Sequence, residues 1–303
     1  MHNVELLAVV DDFKELKGVV DCGADAVYIS YKDGEEFLKN LNEGLEYAHN
    51  KNKKVYVAIE VVPHNRHIKK FEENLAKIGD LGIDAIVITD AGMLTIVKNI
   101  IPNVEIHLSD QANITNYMTA NFWYNQGVKR VLVSKELSFD EIGTIRSKTP
   151  LEMDIEAYIH GAMTVSHSGR HLLSNFIKSK SNNSATIQSG VRYNLTEQQR
   201  QGEFFPVRED ERGTFFYNSK DLCMMEYIPQ LIKCGITSLK IDGTMNGYEY
   251  AMEVVKSYRK AIDLFYQNPE KWTFDNEWID NLDKINKREY TAGFYVQQPV
   301  NEN

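Results

Sequence analysis

Three cysteines in 303 residues are too few for a disulfide framework. Cys22, Cys223 and Cys234 instead fit a reducing, cytoplasmic setting. No window holds about 18 consecutive apolar residues, so no membrane-spanning helix is expected. The opening MHNVELLAVVDDF has no basic stretch ahead of a long apolar one, so a secretory signal is not expected either. Positive charge is also scarce. Lys and Arg number 34 against 43 Asp and Glu, a net charge of −9. That balance excludes a basic footprint over the whole surface, while leaving room for a local basic patch. Low-complexity linkers are missing as well.

What is present is enough apolar material, 43% of the residues, to bury a sizeable core. Short apolar runs alternate with helical spacing. The runs lie at 4–10, 26–30, 54–60, 85–89, 105–108, 130–133, 154–159 and 238–241. Helical patterns separate most of them, among them 35–50, 67–81 and 113–126, and another, 248–265, follows the last. Ser138 followed three residues later by Glu141 is a capping-box pattern. Runs that are apolar on both faces suit parallel strands covered by helices. Eight such units predict an α/β fold, a TIM-type (β/α)8 barrel. A doubly wound open sheet is the alternative. Residues 161–237 are too many for one connection between strands seven and eight. They are expected as an insertion on the face where βα loops emerge, which carries the site in such barrels. The predicted domains are a barrel over 1–265, including the 161–237 insertion, and a polar, aromatic C-terminal extension over 266–303.

One stretch, from Asp154 to Asn175, reads DIEAYIHGAMTVSHSGRHLLSN. It is expected to open as a strand and to break after Ile159 into a polar segment holding His160, His167 and His171. His167 and His171, four apart, would share a helix face with zinc-ligand spacing. No third ligand is identifiable, so no metal is expected. The segment 178–190 is expected to be the least ordered.

Glu156, Tyr158, Gly161, Ala162, Met163, Thr164, Gly169, His171, Leu173 and Ser174 keep the spacing of a known signature. GADAVYIS (23–30), HLSDQANITN (107–116), KELS (135–138) and NSKDLCMMEYIPQLIKCGITSLKIDG (218–243) keep their order around it. On these pieces the chain resembles the collagenase-like peptidases of peptidase family U32. In that family an iron–sulfur cluster, where carried, uses four cysteines. Two lie in the signature and two precede a downstream Arg-aromatic pair. Here Thr164 and His171 stand at the first two positions. Aligned on Arg192 and Tyr193, Ile187 and Val191 stand at the others. Cluster ligation needs thiolates, so no cofactor is expected in this chain. Characterised relatives take part in oxygen-independent hydroxylation of tRNA wobble uridine, of an rRNA cytidine and of the ubiquinone ring. In some bacteria a short chain without the cluster cysteines is encoded beside a longer, cluster-bearing paralog. The resemblance implies that role here, with tRNA and the longer U32 paralog as partners and the iron–sulfur cluster in that paralog. The family label leaves a peptidase as the alternative, although no Ser-His-Asp order, HExxH or reactive-cysteine motif is visible. A non-catalytic scaffold is a further alternative.

Polar residues near the strand ends would converge on one mouth of a barrel. Glu60, His107, Glu156, His160 and Asp242 are the catalytic candidates. Glu156 and His160 would point to one face of a strand, and a carboxylate beside a histidine suits acid–base work. The plainer reading of Glu156 is an inward ion pair with Lys240. Tyr28, Gln111, Asn113 and Lys240 are candidates for binding substrate or RNA. So are Arg170, Arg192, Asn218 and Lys220 in the insertion, where basic side chains suit phosphates. Helix caps and solvated loops are the ordinary roles for such residues.

Overall fold

Aliphatic and β-branched runs bury almost completely, and this sets the architecture. In a computed structural model describing residues 4–59, 64–180, 187–286 and 288–296, Glu5–Val10 forms β1 and Phe13–Asp21 forms α1. The alternation continues through β2 (Ala26–Ser30), α2 (Glu35–His49), β3 (Lys54–Ala58), α3 (Ile68–Gly79), β4 (Ala85–Ile88), α4 (Ala91–Ile100) and β5 (Glu105–Leu108). Next come α5 (Tyr117–Asn125), β6 (Arg130–Leu132), α6 (Phe139–Ser147) and β7 (Asp154–Ser168). Then follow α7 (Leu172–Lys180), β8 (Arg192–Leu195), β9 (Phe205–Asp210) and β10 (Gly213–Cys223). The chain ends with α8 (Ile228–Lys233), β11 (Ser238–Asp242), α9 (Tyr248–Gln267), α10 (Glu277–Asp283) and β12 (Tyr290–Thr291). Strands β1 to β7 pair in order, and β11 pairs with both β1 and β7. The result is a closed, parallel, eight-stranded barrel with helices around it, the TIM-type fold that the pattern predicts.

Helix starts follow local chemistry. Asp12, Asp90 and Asn116 accept hydrogen bonds from the backbone N–H of Glu15, Met93 and Thr119. Ser138 and Glu141 form the expected capping box. The helix expected from residue 113 starts later, at Tyr117. Asn113 has φ 53°, a left-handed conformation that ends a short 3-10 turn, so helix entry is deferred to the Asn116 cap.

Contacts divide the chain into two compact units. The barrel unit takes in the chain through His160, then Cys223–Asn286 and the segment from Ala292. Gly161–Leu222 and a short return ending at Thr291 form the second. The second unit corrects one expectation. The segment after Ile159 is not a polar break, because β7 runs on to Ser168. His167 lies in this strand, stacked at 4.3 Å on Phe215, and His171 precedes α7. The two do not share a helix face. In the same unit, β9 and β10 make an antiparallel hairpin on the register Gly213↔Asp210. Gly213 has φ 121°, and a Cβ there would lie 2.0 Å from the Ser168 carbonyl oxygen, so no larger residue fits. In the barrel unit the tail aromatics Trp278 and Tyr295 are buried, and the Tyr295 hydroxyl donates to the Tyr158 carbonyl at 2.7 Å. Residues 181–186 of the stretch expected to be least ordered, and Glu60, lie outside the described residues. No helix among the described residues is long and apolar enough to cross a membrane.

Candidate functional site

Register decides which side chains enter the barrel. Leu7, Tyr28, Tyr56, Ala58, Ala85 and Val87 pack together as an interior cluster. Residues paired with them on parallel strands share that face. His107 pairs with Val87, Arg130 with His107, and Lys240 with Leu7. Charged residues therefore line part of the interior, and they are arranged in opposed pairs.

In the lower layer, Glu5 accepts from Arg130 Nη2 at 3.2 Å, from the Tyr56 hydroxyl at 2.6 Å and from Ser238 Oγ at 2.9 Å. Burial would raise the Glu5 carboxyl. The charge and hydrogen bonds of Arg130 outweigh burial and hold it below its ordinary range. Arg130 also reaches Glu156 Oε2 at 3.4 Å and Asp154 Oδ2 at 3.4 Å. Glu156 differs in balance. Burial dominates there, and its carboxyl is raised despite Lys240 and Arg130. His107 packs edge-on against Tyr56 at 4.7 Å. Its Nε2 is 3.5 Å from Glu105 Oε2, but neither ring nitrogen has an aligned hydrogen-bond partner. Burial lowers this histidine to about 4, so it is neutral at pH 7.

Higher in the barrel, Lys240 Nζ lies 3.5 Å from the centre of the Tyr28 ring. At the ends of β5 and β6, Asp110 pairs with Lys135 Nζ at 2.8 Å, and Lys135 lies 4.5 Å over the Tyr158 ring. Burial alone would raise Asp110. The charges of Lys135 and Lys240 prevail and hold it well below the carboxylate range. On the same end, Asp242 Oδ1 accepts from Thr244 N and Oγ1 at 3.1 and 2.7 Å. Glu15 is buried nearby and accepts from Asp11 N at 2.8 Å. Burial, then the charges of Asp11, Asp12 and Asp242, raise Glu15 to about 7. A carboxyl half-protonated near neutral pH suits proton transfer at a barrel mouth.

The structure thus brings Tyr28, Glu156 and Lys240 into one interior, with Asp242 at its end and His107 in the layer of Arg130. It does not bring His160 to Glu156. His160 Nε2 meets the Tyr250 hydroxyl at 2.8 Å and Nδ1 the Tyr258 hydroxyl at 3.3 Å, both on α9. Burial lowers His160 to about 3. Gln111 and Asn113 are exposed on the 3-10 turn after β5. Arg170 and Arg192 are exposed in the second unit, Lys220 pairs with Glu289 at 2.8 Å, and the Asn218 carbonyl accepts from Arg288 at 2.8 Å. Glu5, Arg130, Asp110 and Glu15 were not among the sequence candidates. The signal for the first two is a charged residue opening an otherwise apolar strand. The signal for the last is Asp11-Asp12 at the end of β1.

The four cluster positions all lie in 161–222, where Thr164, His171, Ile187 and Val191 offer no thiolate. His171 faces Glu209, with Nδ1 3.6 Å from Oε1. The free thiols of Cys22, Cys223 and Cys234 all belong to the barrel unit. This donor set does not fit an iron–sulfur cluster.

Comparison with known proteins agrees with this frame. The family model described as Peptidase family U32 matches residues 11–303. A tRNA hydroxylation protein P1 of Bacillus subtilis is 33% identical over 97% of this chain and 71% of its own length. A tRNA hydroxylation protein P2 of the same bacterium is 30% identical over 99% of this chain and all of its own length. The solved structure of a U32 peptidase superposes with a TM-score of 0.50 at 11% identity, covering 80% of this chain and 94% of that one, a likeness of fold. The chain belongs to peptidase family U32.

Proposed function

We propose that the chain is the cluster-less subunit of a cytoplasmic system that hydroxylates the wobble uridine of tRNA without oxygen, acting with a longer, cluster-bearing U32 paralog. The observation that carries this reading is the loss of thiolates at Thr164, His171, Ile187 and Val191 in a chain that keeps the surrounding signature. Two further facts support it. The relatives carry tRNA hydroxylation names, and one bacterium holds two of them of different length, one matched over 71% and the other over all of its length.

In this reading the barrel mouth holds a polar ligand. Lys240 and Lys135, each laid on a tyrosine face, present fixed positive charge. Glu15 holds or releases a proton near neutral pH, and Glu156 stays in the interior as a carboxyl that burial raises above its ordinary range. The peptidase alternative has less support. Burial raises the Cys22 thiol and pushes Cys234 up to about 11, opposite to an activated nucleophile. The test is genetic and chemical together. Deleting the gene should abolish the hydroxylated uridine, and the purified chain should carry no iron. Normal hydroxylation in the deletion strain contradicts the role. Gelatin hydrolysis by the purified chain, abolished by Glu15→Gln, would revive the peptidase.

A further inference from the structure

The second unit has a charge balance opposite to that of the whole chain. Residues 161–222 carry eight Lys and Arg against six Asp and Glu, a net of +2 in a chain of −9. Burial sharpens the contrast. Glu209, Asp210 and Asp221 are buried at 2%, 8% and 0% exposure. Glu209 accepts from Leu173 N at 2.9 Å, Ser174 N at 3.2 Å and Thr214 Oγ1 at 2.7 Å. Asp210 accepts from Arg212 at 2.9 Å, and Asp221 faces Arg288 Nε at 3.0 Å. Half of the acidic side chains are therefore consumed inside the unit. Arg170, Lys178 and Lys180 remain exposed and, among the described residues, enter no ion pair.

Arg170 stands just ahead of α7, a nine-residue helix with no buried residue, and Lys178 and Lys180 lie in its last turn. A helix this short is marginal alone. Glu209 anchors its first turn through two backbone N–H groups and the Ser174 hydroxyl, and Thr214 Oγ1 accepts from Leu172 N at 2.9 Å. The anchor fixes a helix that leaves the Leu172 and Phe176 side chains in water. Leu172 and Phe176, one turn apart, are 40% and 60% exposed. An exposed aromatic between unpaired cations, on a helix held firmly at one end, needs a partner that is both anionic and able to stack.

We propose that this face of α7 docks a single-stranded segment of RNA, with phosphates at Arg170 and Lys180 and a base stacked on Phe176. The proposal rests on the tRNA reading above and gives it a surface. Charge complementarity favours a polyanion over a neutral or basic protein partner. The exposed ring favours unpaired bases over a duplex, whose bases are stacked on each other. An anticodon loop has the required chemistry.

The test uses the full chain, a labelled anticodon stem-loop and a fully paired RNA of equal length, read by fluorescence anisotropy across a salt series. Charge reversal at both cations of the face (R170E, K180E) should weaken stem-loop binding at least tenfold. It should also reduce the slope of log affinity against log salt by about 1.4, the value for two single-strand phosphates. Phe176→Ala should weaken stem-loop binding by about 5- to 100-fold, the range of one lost base stack, and leave the duplex within about twofold. An unchanged unfolding midpoint in both variants excludes misfolding as the cause. Wild-type affinity in both variants overturns the proposal, as does absent binding by the wild type. Loss of binding to a purified longer U32 paralog in Phe176→Ala, with RNA affinity intact, also overturns it by assigning the face to protein. Hydroxylated uridine in the deletion strain is read separately. Its loss on deletion with RNA-indifferent variants leaves the function standing and removes only this surface.

Discussion

Lys240 Nζ sits 3.5 Å from the centre of the Tyr28 ring, although the two belong to β11 and β2, separated by β1. Leu7 of β1 pairs in register with Lys240 on one side and Ala26 on the other. The ammonium is thereby held in the barrel between an aromatic face, the Glu156 carboxyl and the charge of Asp110. Lys240→Met keeps the stem and removes the charge. In a complemented deletion strain it should lower hydroxylated tRNA more than tenfold, a loss of at least about 1.4 kcal/mol in the limiting step. Lys240→Arg should not rescue it, because a planar guanidinium does not replace a compact ammonium. Normal hydroxylation in both variants contradicts a role for the barrel mouth.

Glu15 sets a pH dependence of its own. Its folded value of about 7 lies above the ordinary 4.5, so the folded state binds this proton more tightly than the unfolded state. The contribution is fully present below 4.5 and is lost as pH rises towards 7, up to about 3 kcal/mol. Glu15→Gln, which can still accept from Asp11 N, should flatten stability between pH 5 and pH 8 and raise it at pH 8. An unchanged dependence in urea titrations at these two pH values would show that Glu15 is not the titrating group.

The two buried histidines act in the opposite direction. Their folded values, about 4 for His107 and about 3 for His160, lie below the ordinary 6.5. Stability from keeping them neutral is present above 6.5 and is lost as pH falls towards 4. Acid unfolding should therefore begin below pH 6.5, and His107→Phe should shift its midpoint to lower pH. His160→Ala should cost about 2–4 kcal/mol at neutral pH by removing the hydrogen bonds to Tyr250 and Tyr258 and opening a cavity in the core. A midpoint that is the same in His107→Phe and the parent contradicts this account.

Arg130 holds three strands together through Glu5, Glu156 and Asp154. Arg130→Met leaves buried carboxylates uncompensated and should cost about 3–5 kcal/mol. Adding Glu5→Gln should recover part of that loss, since the two sites are coupled. Additive losses in denaturant titrations would mean that the pair is not coupled.

The barrel was readable because its strands are apolar on both faces, as in 26–30 and 85–88, and need only their own composition to declare themselves. The second unit was less readable. Most of β10 is half-buried, so its apolar and polar residues do not separate cleanly. The far half of β7 is exposed from Val165 to His167 and looked like a loop. Glu156 and Lys240 were recognisable from strand position. Glu15 was not, because its raised carboxyl depends partly on Asp242, more than 200 residues away. His160 followed the strand's alternation on paper, but the bulky hydroxyl-bearing rings of α9 claim it.

The central claim is that this chain serves tRNA hydroxylation without a cluster of its own. Its most direct test is mass spectrometry of the wobble nucleoside in tRNA from a strain lacking the gene, complemented by the wild-type chain whose purified form is assayed for iron. The account predicts loss of the hydroxylated uridine on deletion, full recovery on complementation, and no iron in the chain. Unchanged hydroxylation after deletion, or stoichiometric iron and sulfide in the purified chain, would contradict it.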